Sequence, residues 1–195
     1  MDEEFLERWL EDVLARPGLT SLDADSARRV LLEDALRAVP RLASAGGPIV
    51  DVGSGGGSPG IPLAVALPQT RFTLLEAQRR KAQFLERVTV DLANVAVVWG
   101  RAEEQAVDDF GVALAKALAK PPAAAELCLP LVRPGGIALL WVGETACLDA
   151  VARAAELLGA SVEDDADGLV TLRKLVPTPA GFPRRAGMAA KRPLV

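Results

Sequence analysis

The sequence predicts an α/β protein built on a seven-stranded, mostly parallel sheet, with helices on both faces and a helical extension at the N-terminus. Three observations carry this expectation. From Pro48 onward short apolar runs alternate with amphipathic ones, as in a parallel sheet covered on both sides. The run Ile49 to Gly60, IVDVGSGGGSPG, passes from an apolar strand through Asp51 into a turn carrying Gly53, Gly55, Gly56 and Gly57, then into a helix opened by Pro59 and Gly60. The last two strand-like runs are joined by a tight turn at Asp167-Gly168, which implies a closing antiparallel pair.

Taken in order, Phe5, Leu6, Trp9, Leu10, Val13 and Leu14 recur at helical spacing and predict a first helix ending before Pro17-Gly18. A second helix is expected from Asp25 or Ser26 through Val39, with Val30, Leu31, Leu32, Ala35 and Leu36 on its apolar face. Strands follow at Ile49–Val52, Arg71–Glu76, Val95–Trp99, Val112–Ala115, Ile137–Val142, Ala160–Asp164 and Leu169–Lys174. Helices fill the gaps at Pro59–Leu67, Arg79–Leu92, Ala123–Leu131 and Thr145–Leu158, with a short turn at Ala102–Ala106. The chain thus divides into an extension (1–45), a main domain (46–176) and a basic tail (177–195) packed on it.

At 195 residues the chain is long enough to bury one substantial core. Its richest apolar region, Val112 to Val132, is interrupted by Lys116, Lys120, Pro121, Pro122 and Pro130, so no membrane span is expected. The opening Met-Asp-Glu-Glu has the wrong charge for a secretory signal. These features predict a cytoplasmic protein. Cys128 and Cys147 have no metal-ligand spacing and read as small buried hydrophobes; no metal site is expected. The formal charge of −4 hides an asymmetry, because Arg173, Lys174, Arg184, Arg185, Lys191 and Arg192 follow one another with no acidic residue among them to the C-terminus. Such a tail suits a polyanion or simply solubilises the terminus, and its prolines predict a stiff, non-helical segment.

The glycine turn has a charge signature as well as a shape. A dinucleotide-binding turn holds pyrophosphate, which a carboxylate at the strand exit repels. Asp51 stands at that exit, and a carboxylate there suits a ligand with a cationic end and no phosphate, such as S-adenosylmethionine. Glu76 ends the second strand and can accept hydrogen bonds from ribose hydroxyls. After the third strand, Gly100 to Glu104 form a turn whose backbone at Arg101, Ala102 and Glu103 can read an adenine edge.

These elements together resemble the bacterial ribosomal RNA small subunit methyltransferase G family, also called glucose-inhibited division protein B. The resemblance covers about residues 19 to 195. It is carried by Leu19-Thr20, Asp51 to Pro62 (DVGSGGGSPGIP), Thr73 to Leu85, Gly100 to Glu104, Leu127 to Gly136 and Thr178 to Leu194 (TPAGFPRRAGMAAKRPL). It implies a Rossmann-like class I S-adenosylmethionine-dependent methyltransferase that modifies guanine N7 in 16S ribosomal RNA of the small subunit. Guanine N7 is an unprotonated acceptor, so a chain without histidine can perform this chemistry by alignment alone. Donor-side candidates are Asp51, Gly53, Ser54, Gly55, Gly57, Pro59, Gly60, Glu76, Ala77, Arg101, Ala102, Glu103 and Lys116. Lys116 is also the catalytic candidate, and the substrate-side candidates are Arg80, Lys116, Arg184 and Arg185.

The family pattern is not followed everywhere. Its Arg in an S/A-R-A element becomes Lys116 in Ala115-Lys116-Ala117, its Lys-Gly becomes Val142-Gly143, and Gly111 and Ser58 replace an acidic and an aromatic or apolar residue. Trp99, Trp141 and Phe110 offer stacking surfaces or plain core packing. Other readings stay open: a methyltransferase with another substrate, a donor-binding homologue without activity, or an NAD-dependent enzyme. A monomer is expected.

Overall fold

The computed structural model describes residues 2–43, 45–143 and 145–195. Met1 and Ser44 of the expected extension and Glu144 ahead of the last large helix lie outside the described residues. The chain runs through α1 (Glu3–Leu14), α2 (Ala24–Ala27), a π-helical turn (Arg28–Glu33), α3 (Asp34–Leu36) and α4 (Val39–Ala43) into β1 (Ile49–Val52). It continues through α5 (Gly60–Ala66), β2 (Phe72–Glu76), α6 (Arg79–Val88), β3 (Val95–Trp99), a 3-10 turn (Ala102–Glu104) and β4 (Phe110–Lys116). Then come α7 (Pro121–Cys128), a 3-10 turn (Leu129–Leu131), β5 (Val132–Trp141), α8 (Leu148–Leu157), β6 (Ala160–Ala166), β7 (Leu169–Lys174) and α9 (Met188–Lys191).

The sheet order is β3-β2-β1-β4-β5-β7-β6, and β7 runs antiparallel to both neighbours. The Asp167-Gly168 turn joins that pair with both residues at positive φ, 57° and 73°, as a two-residue hairpin of this hand requires. Side chains alternate across each strand. In β1, Val50 and Val52 face a core shared with α7 and α8, while Ile49 packs with Leu63 of α5 on the opposite face. Asp51 therefore shares the α5 face.

The expected second helix is broken. Asp23 accepts the Ser26 N–H at 2.8 Å and starts α2 a residue or two early. Pro40, which lacks an N–H and clashes with the carbonyl four residues back, prevents one helix from continuing through Val39. Between these points the chain widens into the π-helical turn, a form that recurs at functional sites. The helix after β2 stops at Val88 rather than Leu92, where Thr89 bonds its hydroxyl back to the Leu85 carbonyl at 2.8 Å. The helix expected at Ala123 begins two residues earlier because prolines are well suited to a first turn, and it tightens to 3-10 form around Pro130. Cys128 is buried as expected, whereas Cys147 is exposed.

The tail is not helix-free: Met188–Lys191 form the single turn α9. Three contacts tie it down. Asp108 accepts the Thr178 N–H and hydroxyl at 3.1 and 2.7 Å; buried Lys174 donates to the Thr178 hydroxyl oxygen at 3.0 Å; and Arg184 grips Glu126 of α7 through two contacts of 2.5 and 2.6 Å. Glu126 is only 4% exposed, so removing it strands a partly buried guanidinium. Glu126→Ala is expected to cost about 2 kcal/mol in chemical denaturation, with the double variant Glu126→Ala, Arg184→Met recovering part of the loss. An unchanged midpoint in the single variant contradicts this account.

Candidate active site

In this sheet β1 and β4 are neighbours, and the chain leaves β1 toward β2 on one side but leaves β4 toward β5 on the other. The loops after β1 and β4 therefore part at the carboxyl edge, which is where open α/β sheets bind ligands. The β1 loop is the glycine turn. Gly53, Gly55 and Gly57 take φ of 73°, 56° and 104°, conformations that residues with a Cβ rarely adopt. Gly53 and Ser54 donate their N–H groups to the Leu75 carbonyl, and the Ser54 hydroxyl donates to the Asp51 carbonyl at 2.9 Å. A Cβ on Gly53 would stand 2.4 Å from Leu118 of the β4 loop, so the two loops meet only because the residue is glycine.

Glu76 holds the turn from the next strand. One carboxylate oxygen accepts the Gly55 N–H at 2.9 Å and the other accepts the Gln78 N–H at 2.7 Å. A carboxylate has about four acceptor positions, so half of its capacity remains for a ligand. The turn is also held from behind by the N-terminal extension: the Trp9 indole donates to the Gly56 carbonyl at 2.8 Å, and the Ser58 hydroxyl donates to the Leu31 carbonyl of the π-helical turn. Sequence periodicity identified Trp9 only as part of an apolar stripe. Its polar tip gives no signal of its own in the sequence.

Two cavities flank the turn. The first, about 420 Å³, is walled by Gly53, Glu76, Ala77, Arg101, Ala102 and Glu103, with Leu75, Leu118 and Leu127 supplying apolar surface. The tail closes it with Gly187, Ala189 and Ala190, and Gly187 donates its N–H to Glu103 at 2.9 Å. The second cavity, about 350 Å³, is walled by Ser54, Gly55, Lys116 and the segment Leu19 to Leu22. Gly53, Lys81 and Ala117 border both. Ala117 holds φ of 54° although it carries a Cβ, a strained conformation of the kind found at functional sites.

The remaining candidates lie elsewhere. Asp51 is 1% exposed and lines neither cavity; it accepts the Gly60 N–H at 3.1 Å on the α5 face. Burial pushes its carboxyl up to about 7, against the opposing hydrogen bonds of Gly60 and Ser54. Gly57, Pro59 and Gly60 are buried supports of the α5 start. Lys116 lines the second cavity, but its ammonium is already engaged by Asp34 at 2.5 Å and by the Val30 carbonyl; burial depresses its pKa while Asp34 opposes the shift. Arg184 is committed to Glu126, and Arg80 and Arg185 are exposed. Trp99 is 58% exposed rather than core, with the Arg79 guanidinium 5.2 Å from its ring centre.

The first cavity fits S-adenosylmethionine. It offers apolar walls for a flat base and carboxylates at Glu76 and Glu103 where hydroxyls and an amino edge can be met. The same carboxylates disfavour a pyrophosphate.

An open sheet of this order with such a crevice defines an S-adenosylmethionine-dependent methyltransferase of the Rossmann-like kind. Solved structures of that fold superimpose on it. They include M. jannaschii TYW2 in complex with AdoMet (TM-score 0.53, 16% identity, covering 71% of this chain and 72% of that one) and the neocarzinostatin-pathway O-methyltransferase NcsB1 in complex with S-adenosyl-L-homocysteine (TM-score 0.58, 19% identity, 72% and 55%). The family model for rRNA small subunit methyltransferase G matches residues 9–166. The Synechococcus elongatus ribosomal RNA small subunit methyltransferase G is 38% identical over 167 residues, spanning 76% of this chain and 69% of its own; the Rubrobacter xylanophilus protein of the same name is 40% identical over 192 residues, spanning 87% and 70%. The chain belongs to the rRNA small subunit methyltransferase G family and is an S-adenosylmethionine-dependent rRNA methyltransferase.

Proposed function

We propose that this protein methylates guanine N7 in 16S rRNA, with the donor in the first cavity and the target base in the second. The observation that carries this reading is the glycine turn held by Glu76 between two cavities that share Gly53, Lys81 and Ala117 as walls, one lined by carboxylates and apolar surface and the other by Lys116 and the Leu19 to Leu22 loop. When bound, S-adenosylmethionine supplies an electrophilic methyl group on a sulfonium centre.

The chain's own residues have to bind and align. Glu76 retains acceptor capacity for ribose hydroxyls, the Arg101 to Glu103 backbone faces the base, and Ala77 and Ala102 provide small surfaces beside it. Asp51, Gly53, Ser54, Gly55, Gly57, Pro59 and Gly60 form and brace the turn. Guanine N7 carries a lone pair and no proton, so no general base is needed. Lys116 has three N–H donors; with Asp34 and the Val30 carbonyl taking two, one remains for an acceptor such as guanine O6 beside N7. Pinned in this way, Lys116 presents a fixed charge at little entropic cost during binding, and the reaction gains chiefly from orientation. Arg80 and Arg185, both exposed, supply charge for the RNA backbone, while Arg184 acts through the tail that it anchors.

No described helix is long and apolar enough to cross a membrane. We read the protein as a cytoplasmic monomer whose extension (1–45) and tail (177–195) complete the site on the central domain (46–176). The decisive experiment maps methylated guanines in 16S rRNA from a strain lacking the gene, complemented with the wild type or with Glu76→Gln. Restoration of one N7-methylguanosine by the wild type supports the proposal. Its absence, with intact donor binding, points instead to another methyl acceptor. In Glu76→Gln an amide N–H₂ replaces one acceptor against a backbone N–H, so calorimetry is expected to show donor affinity falling by roughly tenfold or more. An affinity within twofold of wild type removes Glu76 from the donor site.

A further inference from the structure

A third cavity, about 150 Å³, lies between the loop after α1 and the first turn of α6. Arg16, Arg80, Lys81 and Phe84 line it, with the Arg16 guanidinium over the Phe84 ring, and Pro17 and Gly18 line it as well. It shares Leu19 and Lys81 with the second cavity, and Gln78 and Lys81 with the first. No carboxylate lines it, and among the described residues none of the three cations has a carboxylate within ion-pair distance.

That charge arrangement works against the fold. The first turn of a helix is its positive end and favours acidic side chains, yet α6 opens with Arg79, Arg80 and Lys81 and has no acidic residue there. Arg79 is accounted for by its stacking on Trp99. Arg16, from a separate segment, places its guanidinium 5.4 Å from the Phe84 ring centre and so adds a further positive charge to the same end. A pocket of unpaired cations at a helix's positive pole is most stable with an anion in it, and a doubly bordering position beside the base and donor cavities gives that anion a role in the reaction.

We propose that this cavity is a phosphodiester subsite, which seats a backbone phosphate of the rRNA next to the nucleotide whose base enters the second cavity. The inference rests on the reading of that cavity as the base chamber. Arg16 and Arg80 act here as positioning residues: they fix the register of the RNA strand and take no part in the donor site.

The test titrates small ribosomal subunits, or a 16S rRNA fragment, against wild type, Arg16→Gln, Arg80→Gln and the double variant at several salt concentrations. Methyl transfer and donor binding are followed in parallel, and thermal denaturation checks that each variant is folded. Each single variant is expected to raise KM for RNA about fivefold to tenfold while leaving kcat and donor affinity unchanged. The slope of log affinity against log salt should lose about one unit per phosphate contact removed. Arg16→Lys, which keeps the charge, should recover most of the affinity. Inorganic phosphate at tens of millimolar should compete with RNA in the wild type and lose that effect in the double variant. An unchanged RNA affinity and salt slope in the double variant overturns the subsite, as does an equal loss of donor affinity. RNA binding is read without turnover, so a wild type that binds RNA but transfers no methyl group sinks the functional reading while the subsite is still judged by its own slope.

Discussion

Gly60→Ala is expected to lower the melting temperature by about 10 °C. The added Cβ would stand 2.3 Å from Leu74 Cδ2 and 2.7 Å from an Asp51 carboxylate oxygen, and both neighbours are buried, at 0% and 1% exposure. Both would have to shift to admit the methyl group. Overpacking of this kind costs about 1–3 kcal/mol, and moving Asp51 also breaks its bond from the Gly60 N–H, which adds about 1–3 kcal/mol for the stranded groups. For a chain of this size each kcal/mol shifts Tm by about 2–4 °C.

Gly55 provides the contrast. A Cβ there meets only the Gly53 carbonyl, at 3.8 Å, although φ of 56° makes a branched residue unfavourable. Gly55→Val is therefore expected to fold with a modest stability loss and to weaken donor binding strongly, because strain at this position displaces the N–H that holds the Glu76 carboxylate in the first cavity. Calorimetry and thermal denaturation on the two variants separate the effects. Equal loss of Tm in both, or unchanged donor affinity in Gly55→Val, contradicts the division of labour between these glycines.

That division was only half legible in the sequence. The sheet could be read almost strand by strand, because its signals are local: apolar runs of fixed length, a glycine turn and a hairpin dipeptide. The ends of the helices were less legible where a single proline or a back-bonding hydroxyl decides the matter, as at Pro40 and Thr89. Within the site, glycine spacing located the turn but not which glycine serves a ligand and which serves packing. That distinction is made by Leu118 and Leu74, which approach Gly53 and Gly60 from other segments, and by Ile61, which folds back on Gly57 from the first turn of α5. Long-range partners explain the other differences. Lys116 and Arg184 read as free cations because Asp34 and Glu126 lie 82 and 58 residues away. The tail's part in closing the first cavity depends on Glu103 meeting Gly187, 84 residues distant.

Asp51 shows how such a buried partner sets a pH dependence. Burial, which disfavours the charged form, pushes its carboxyl up from its ordinary 3.8 to about 7 in the folded chain. A folded pKa above the unfolded one means that the native state keeps a proton which the unfolded chain has lost. The resulting stabilisation is complete below about 3.8 and is lost as pH rises through about 7. The difference of about three pKa units corresponds to roughly 4 kcal/mol. Asp51→Asn keeps an acceptor for the Gly60 N–H and carries no charge, so it is expected to match the wild type near pH 4 and to be the more stable protein at pH 8.

Donor binding should move the opposite way. A cationic ligand near the turn favours the ionised carboxylate, so wild-type donor affinity should rise with pH through about 7. Binding near neutrality should then release a fraction of a proton, visible as different calorimetric heats in buffers of different ionisation enthalpy. In Asp51→Asn that release should be reduced by the Asp51 share and affinity at pH 8 should fall by roughly tenfold, a loss of about 1.4 kcal/mol. The variant would thus be more stable and less able to hold its ligand. A wild type that gives the same affinity, the same proton count and the same pH profile as Asp51→Asn would reduce Asp51 to a cap on α5, with its charge irrelevant to the crevice in front of it.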